Sequence, residues 1–457
     1  MRASSTITAL APQIAGSSIS AAALVEQCFA SIAADDRQGA SLHAIISLNP
    51  DAVVQAHALD LLREATGVRG PLHGIPLVIK DNIDLYGLPT TSGCEALGEA
   101  MPRVDALQVE RLRNAGAVIV GKTNMAELSF EIRSRSSVAG DVCNPFNTTV
   151  TAGGSSGGTA AAIAAGFACA GLGTDTGGSI RIPAAYCGLV GFRPSWGIAD
   201  MTGIAPLAPS ADTVGPIARS VADAALLFAV MTGSRDVSPA GRIRPRRIGV
   251  LRQLFGACPE IGAAGRLALE LLGSAGFDIV DPVVLPEQLL PDSSVDLVDY
   301  EFTAAFDAYL ATNFTDGAPA SVAELYASGR FLSDYDATLR RRSFPPADLR
   351  PHARLQARRA RLRRAIDDIL HAQRLDALFY PTSAVVPAGL GNPAGGLAPE
   401  LAAWTGLPAL TLPVGQASNR VPIGYELLGN DDWLLLDLAA EVEAVIGCRL
   451  YPNSDLR

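Results

Sequence analysis

Ala152–Ala184 reads AGGSSGGTAAAIAAGFACAGLGTDTGGSIRIPA, two glycine-rich loops separated by a run of small apolar residues. The first loop, Ala152–Thr159 (AGGSSGGT), holds Ser155 and Ser156 between paired glycines. The second, Gly173–Ala184 (GTDTGGSIRIPA), places Ser179 directly after Gly177 and Gly178. Glycine reaches backbone conformations that other residues resist, so each loop can turn tightly and converge main-chain N–H groups on one point. The run between them, Thr159–Leu172, is mostly Ala and Gly and too short to span a bilayer. It reads as a buried helix following the first loop. Residues 140–220 as a whole are rich in Gly, Ser, Thr and Pro with few charges, the composition of a tightly turned site region rather than a surface loop.

A third segment belongs with these two. Leu72–Asn82 reads LHGIPLVIKDN, an apolar run that ends on Lys80. Ile75–Ile79 and Ala117–Val120 read as buried strands, with a helical pattern at Ala106–Arg113 between them. That alternation predicts an α/β sheet. Residues 1–70 read as helical, with periodic apolar positions in Ala21–Ile32 and Ala52–Leu62. Further on, Ser220–Met231 reads as a helix and Arg247–Leu251 as a strand. Residues 285–375 read as helical, Leu375–Phe379 and Ala409–Val414 as strands, and Leu434–Val445 as a closing helix. No repeat or low-complexity linker divides the 457 residues, so a single domain is expected over 1–457. Its catalytic core would occupy about 71–250, a helical substrate-shaping region about 285–375, and closing strands and a helix about 376–450.

Composition narrows the function. The net charge of -10 gives no electrostatic attraction for nucleic acid. Seven scattered cysteines without a CxxC pair suggest neither zinc nor a disulfide framework, which fits a reducing, cytoplasmic setting. No signal peptide and no membrane association are read. Of 36 basic residues only Lys80 and Lys122 are lysines. Arginine stays charged in proteins, whereas lysine can lose its proton when buried. The ten arginines between Arg340 and Arg364 read as a solvated helix face.

Two formal motif matches fail on context. Gly116–Thr123 (GAVIVGKT) fits GxxxxGK[ST], but its middle is an apolar strand and its approach is helical, the reverse of a phosphate loop. Gly153–Gly157 (GGSSG) fits GxSxG, but Asn147–Ala152 makes a poor buried strand. Only His352 and His371 lie downstream, both in the polar arginine-rich region.

The chemistry is better served by a serine and a lysine. Taken alone, Lys80 reads as a surface lysine, Ser155 as a turn residue and Ser179 as a helix N-cap. Together they resemble the amidase signature family. The resemblance rests on GGSSGG, the small-residue run after it, DTGGSIR, Gly121–Asn124 (GKTN), Cys187–Pro194 (CGLVGFRP), Asp212–Ser220 (DTVGPIARS) and Thr405–Val414 (TGLPALTLPV). It spans about residues 20–446. The resemblance implies an α/β fold built on a large mixed, twisted β-sheet with helices on both sides, and an amide hydrolase with Lys80 as base, Ser155 as a bridging serine after a cis peptide, and Ser179 as nucleophile. The backbone N–H groups of Thr176, Gly177, Gly178 and Ser179 would form the oxyanion hole. Ser156, Asp175 and Arg181 would support the loops, while Lys122 serves structure. Met125, Phe130, Tyr380 and Trp404 are candidate pocket walls. No metal or organic cofactor is implied.

The physics agrees with the resemblance: a lysine acts as base only when neutral. With a reference pKa of about 10.4, that requires a drop of ~3 units, or about 4 kcal/mol, which burial can supply. The expected substrate is a small, non-peptide amide, and a homodimer stays open. The family also contains the glutamine-hydrolysing chains of tRNA-dependent amidotransferases and ureide hydrolases of the carboxybiuret or allophanate type. Ile182 stands where some relatives carry Gln. The rival class, a catalytically silent binding protein, would be inert to a serine-directed probe.

Overall fold

The computed structural model describes residues 5–234, 246–291, 296–344, 346–392 and 400–452. Eleven strands form one mixed sheet: β1 (Ile45–Leu48), β2 (Pro76–Lys80), β3 (Val118–Thr123), β4 (Ala170–Asp175), β5 (Val190–Arg193), β6 (Thr213–Ala218), β7 (Arg247–Val250), β8 (Asp278–Val280), β9 (Ala377–Pro381), β10 (Ala409–Gln416) and β11 (Pro422–Leu428). Their spatial order is β1-β3-β2-β4-β6-β5-β10-β11-β9-β7-β8. The central β3-β2-β4 unit is parallel and β6 runs antiparallel to β4. Strands β2, β3, β4 and β6 are buried along their whole length, as expected for a sheet covered on both faces.

The helix Gly157–Ala164 is built of Gly, Thr, Ala and Ile, and every residue is buried. It packs on β2, β4 and β6. Small side chains are what allow this: a Cβ added at Gly158 would sit 2.2 Å from the Asn124 carbonyl oxygen. The helices Val298–Asn313, Val322–Ala327, Asp336–Arg342 and Arg350–Ala372 form the later helical region. Its first part builds a separate apolar cluster around Phe302, Phe306, Tyr309 and Leu339. Among the described residues, no helix is long and apolar enough to cross a membrane.

The sequence expectations hold for helices at Ala21–Asp35, Ala52–Thr66, Leu107–Asn114, Val221–Thr232 and Asp432–Ile446. They also hold for β2, β3, β7, β9 and β10. Three are corrected. Thr159–Leu172 is not one helix: the helix ends at Ala164 and β4 starts at Ala170, so small residues serve both elements. The helical region 1–70 contains β1, which pairs antiparallel with β3. Asn147–Thr151 is a strand after all, but it pairs with Cys143–Asn144 in a two-stranded ribbon outside the main sheet and bridges Val150 to Gly389 on its other side. The GAVIVGKT segment lies in β3, preceded by the helix Leu107–Asn114, so no phosphate loop forms there.

Candidate active site

Lys80 is the last residue of β2 and is fully buried. Its Nζ lies 2.7 Å from Ser155 Oγ, 2.6 Å from Thr174 Oγ1 and 3.4 Å from Ser129 Oγ. Asn82 Nδ2 also donates to Thr174 Oγ1, at 3.0 Å. Among the described residues, Lys80 forms no ion pair with a carboxylate. Burial pushes its amine down to about 7, outweighing the more distant Asp175 and Asp212, which act in the opposite direction. Desolvation disfavours the charged form, and three hydroxyls do not replace the missing counter-charge.

The two glycine loops meet beside this amine. The peptide bond Gly154–Ser155 is cis. The Ser155 carbonyl accepts from Ala126 N–H at 3.1 Å and from Ser134 Oγ at 3.2 Å. Ser156 supports both loops: its N–H donates to the Ser179 carbonyl at 3.1 Å and its Oγ to the Thr174 carbonyl at 3.3 Å. Gly173 permits this approach, since a Cβ there would lie 2.7 Å from Ser156 Oγ. Ser179 is not a helix N-cap. The following helix is Arg181–Tyr186 with Ile180 at the cap, which leaves Ser179 in the turn, facing a cavity.

Asp175 organises that turn. Its carboxylate accepts from Gly178 N–H at 2.9 Å and Ile180 N–H at 3.1 Å, and pairs with Arg181 (3.1 Å) and Arg193 (2.9 Å). Arg181 also pairs with Glu426 at 2.7 Å, and all four side chains are fully buried. Burial raises the carboxyl of Asp175, but the two guanidiniums outweigh it and hold it well below the usual carboxylate range. The N–H of Gly178, one of the four expected oxyanion donors, is thus taken by Asp175. The Thr176 hydroxyl is tied to Asp212 at 2.6 Å. Lys122 sits away from the serines, in a buried ion pair with Asp81 at 3.1 Å.

A cavity of about 730 Å³ opens over Ser179, Thr176 and Gly177. Its walls are largely apolar, including Phe130, Leu207, Leu254, Leu297 and Trp404. Of the four candidate walls, Phe130 and Trp404 line it. Met125 and Tyr380 do not; both are fully buried in the protein interior. The arginine-rich region is also corrected at two positions. Arg342 and Arg359 turn inward and reach the cavity instead of facing solvent: Arg342 pairs with Asp296 and Asp299, and Arg359 donates to the carbonyls of Ser210, Ala403 and Trp404. The sequence reading missed Thr174, Ser129, Asp212, Glu400 and these two arginines. Thr174 and Asp212 lie inside quoted motifs and were within reach; the others carry no local signal.

A buried amine thus meets a glycine-loop serine, and a second glycine loop places Ser179 at the cavity. The chain belongs to the amidase family, whose model matches residues 23–432. It is 34% identical to the indoleacetamide hydrolase of Agrobacterium vitis, with 84% of this chain and 85% of that protein covered. It is 33% identical to one chain of the glutamyl-tRNA(Gln) amidotransferase of Synechococcus sp. (strain CC9311), covering 94% of this chain and 95% of that one. The structure of peptide amidase from Stenotrophomonas maltophilia superposes with a TM-score of 0.88 at 34% identity over 99% of both chains.

Proposed function

We propose that the protein hydrolyses a small, non-peptide carboxylic amide through an acyl-enzyme on Ser179, with Ser155 relaying the proton and Lys80 as the base. The observation that carries this reading is the 2.7 Å contact between Ser155 Oγ and an amine held near neutrality by burial. Neutral Lys80 takes the Ser155 proton as Ser155 takes that of Ser179. Ser179 Oγ then attacks the carbonyl carbon. The oxyanion develops against the N–H groups of Thr176, Gly177 and Ser179, an arrangement in which one donor is worth about 2.7–4 kcal/mol. The C–N bond breaks as the proton returns through Ser155 to the leaving nitrogen. Water then cleaves the acyl ester by the same relay and releases the acid. In this reading the cycle needs no metal or organic cofactor and runs in the cytoplasm.

Two measurements test it. With Lys80 as base, kcat/KM for ammonia release should rise about tenfold per pH unit below pH 7 and level off above it, because only the deprotonated amine works. A flat profile between pH 5 and 9 would remove Lys80 from that role. A fluorophosphonate should label Ser179, as read by peptide mapping; a tag on another residue overturns the nucleophile assignment.

A second reading, the glutamine-hydrolysing chain of a tRNA-dependent amidotransferase, is favoured by the 33% identity over 94% of the chain. Co-purification with partner proteins that switch on glutamine hydrolysis would decide for it.

A further inference from the structure

We infer that Glu400 is a specificity-determining residue, whose carboxylate receives a protonated amine on the acyl part of the substrate, within a few bonds of the scissile carbonyl. The inference rests on the reading of Ser179 as nucleophile and adds the class of amide. It comes from asking which charges around the cavity are already matched. Glu131 is paired with Arg133 at 2.5 Å and Arg135 at 2.8 Å. Arg342 is paired with Asp296 at 2.6 Å and Asp299 at 2.9 Å, and its remaining nitrogen, Nη1, is buried from the cavity surface. Arg359 donates to the Trp404 carbonyl (2.9 Å), to Ser210 Oγ (2.7 Å) and to the Ser210 and Ala403 carbonyls (2.8 and 3.2 Å).

Glu400 remains. Its Oε2 accepts the Trp404 indole N–H at 3.2 Å, and among the described residues Oε1 has no hydrogen-bond partner. A Cβ placed on Gly177 would lie 3.3 Å from that Oε1, so the free oxygen borders the loop that carries the nucleophile. Burial pushes the carboxyl up to about 7, the behaviour of an acid lacking a cation. An ammonium arriving there favours the ionised form and makes a charge-assisted hydrogen bond, roughly twice as strong as a neutral one. An acyl carboxylate, by contrast, meets no uncommitted cation among the described residues lining the cavity. The site therefore fits amino-substituted amides better than dicarboxylic monoamides.

The experiment compares 3-phenylpropanamide with its 2-amino and 3-amino derivatives. The wild-type enzyme should prefer at least one amine by about tenfold in kcat/KM, the scale of one such hydrogen bond. Glu400→Gln, which keeps the shape and removes the charge, should bring that ratio close to one. A wild-type ratio of one or below, or a ratio that Glu400→Gln leaves unchanged, overturns the proposal while the hydrolase reading stands. If neither amide is turned over but a fluorophosphonate still labels Ser179, the substrate class falls and the nucleophile survives. If Ser179 is not labelled, both fall. The labelling rate also reports whether the variant is folded. Should it not be, protection of Ser179 from labelling by 2-phenylethylamine, compared with 2-phenylethanol, reads the same contact on the wild type. Equal protection by the two sinks the idea.

Discussion

Replacing Lys80 by arginine is expected to lower kcat by about 10⁴-fold or more, with KM little changed. Arginine keeps the positive charge but cannot become neutral in a protein, so it cannot accept the Ser155 proton. In the proposed mechanism one base serves a two-serine relay, so its loss would disable both serines together, and such units lose activity non-additively. KM should hold because Lys80 lies beneath Ser155 and is not part of the cavity lining. A guanidinium in this pocket would find hydroxyls and no carboxylate, so Lys80→Arg is also expected to be less stable.

Lys80→Met separates the two effects. It removes the amine, should be equally inactive, and should melt no lower than wild type. An amine whose value falls to about 7, against about 10.4 unfolded, is buried in its charged form below pH 7 and weakens the fold there by about 4–5 kcal/mol. Relief of that cost offsets the partners lost by Ser155 and Thr174. The sign follows from proton counting. Between pH 7 and 10 the unfolded chain binds this proton and the folded one does not, so stability rises with pH across that window and is least below it. Near-normal turnover by either variant would refute Lys80 as the base.

The largest stability loss is expected from Asp175→Asn, about 3–5 kcal/mol at pH 7 in urea denaturation. The wild-type cluster holds two guanidiniums and two carboxylates, fully buried, and removing one charge leaves an uncompensated cation. The substitution also withdraws acceptor capacity from Gly178 and Ile180, so the turn that carries Ser179 should loosen and activity fall with stability. The folded-state value of Asp175 is depressed. Its contribution is therefore fully present above the unfolded value near pH 4 and is lost as pH falls towards the folded one. The gap between wild type and Asp175→Asn should accordingly shrink below pH 4. A gap under about 1 kcal/mol at pH 7 would show that the cluster does not hold the loop.

How far the sequence reached is clearest at individual residues. Lys80, Ser155 and Ser179 could be named because the motifs around them, LHGIPLVIKDN, AGGSSGGT and GTDTGGSIRIPA, together resemble the amidase signature; taken singly, none of the three stands out. The Asp175–Arg181 pair followed from its position beside Ser179. Strand β4 escapes a sequence reading because AGLGTD has no β-branched or alternating pattern before Thr174; pairing with β2 and β6 makes it a strand. Arg359 reads as solvated because its neighbours are arginines, yet it is buried by acceptors from residues 210, 403 and 404.

The sequence alone determined the family, the glycine loops and the residue types able to act as base and nucleophile, because local backbone needs and side-chain chemistry are written residue by residue. Only the tertiary structure decided that Lys80 is dry, that Gly178 is spent on Asp175, and that Glu400 borders Gly177. Burial and the choice of a partner are set by segments distant in sequence that meet when the sheet closes, so no local pattern encodes them.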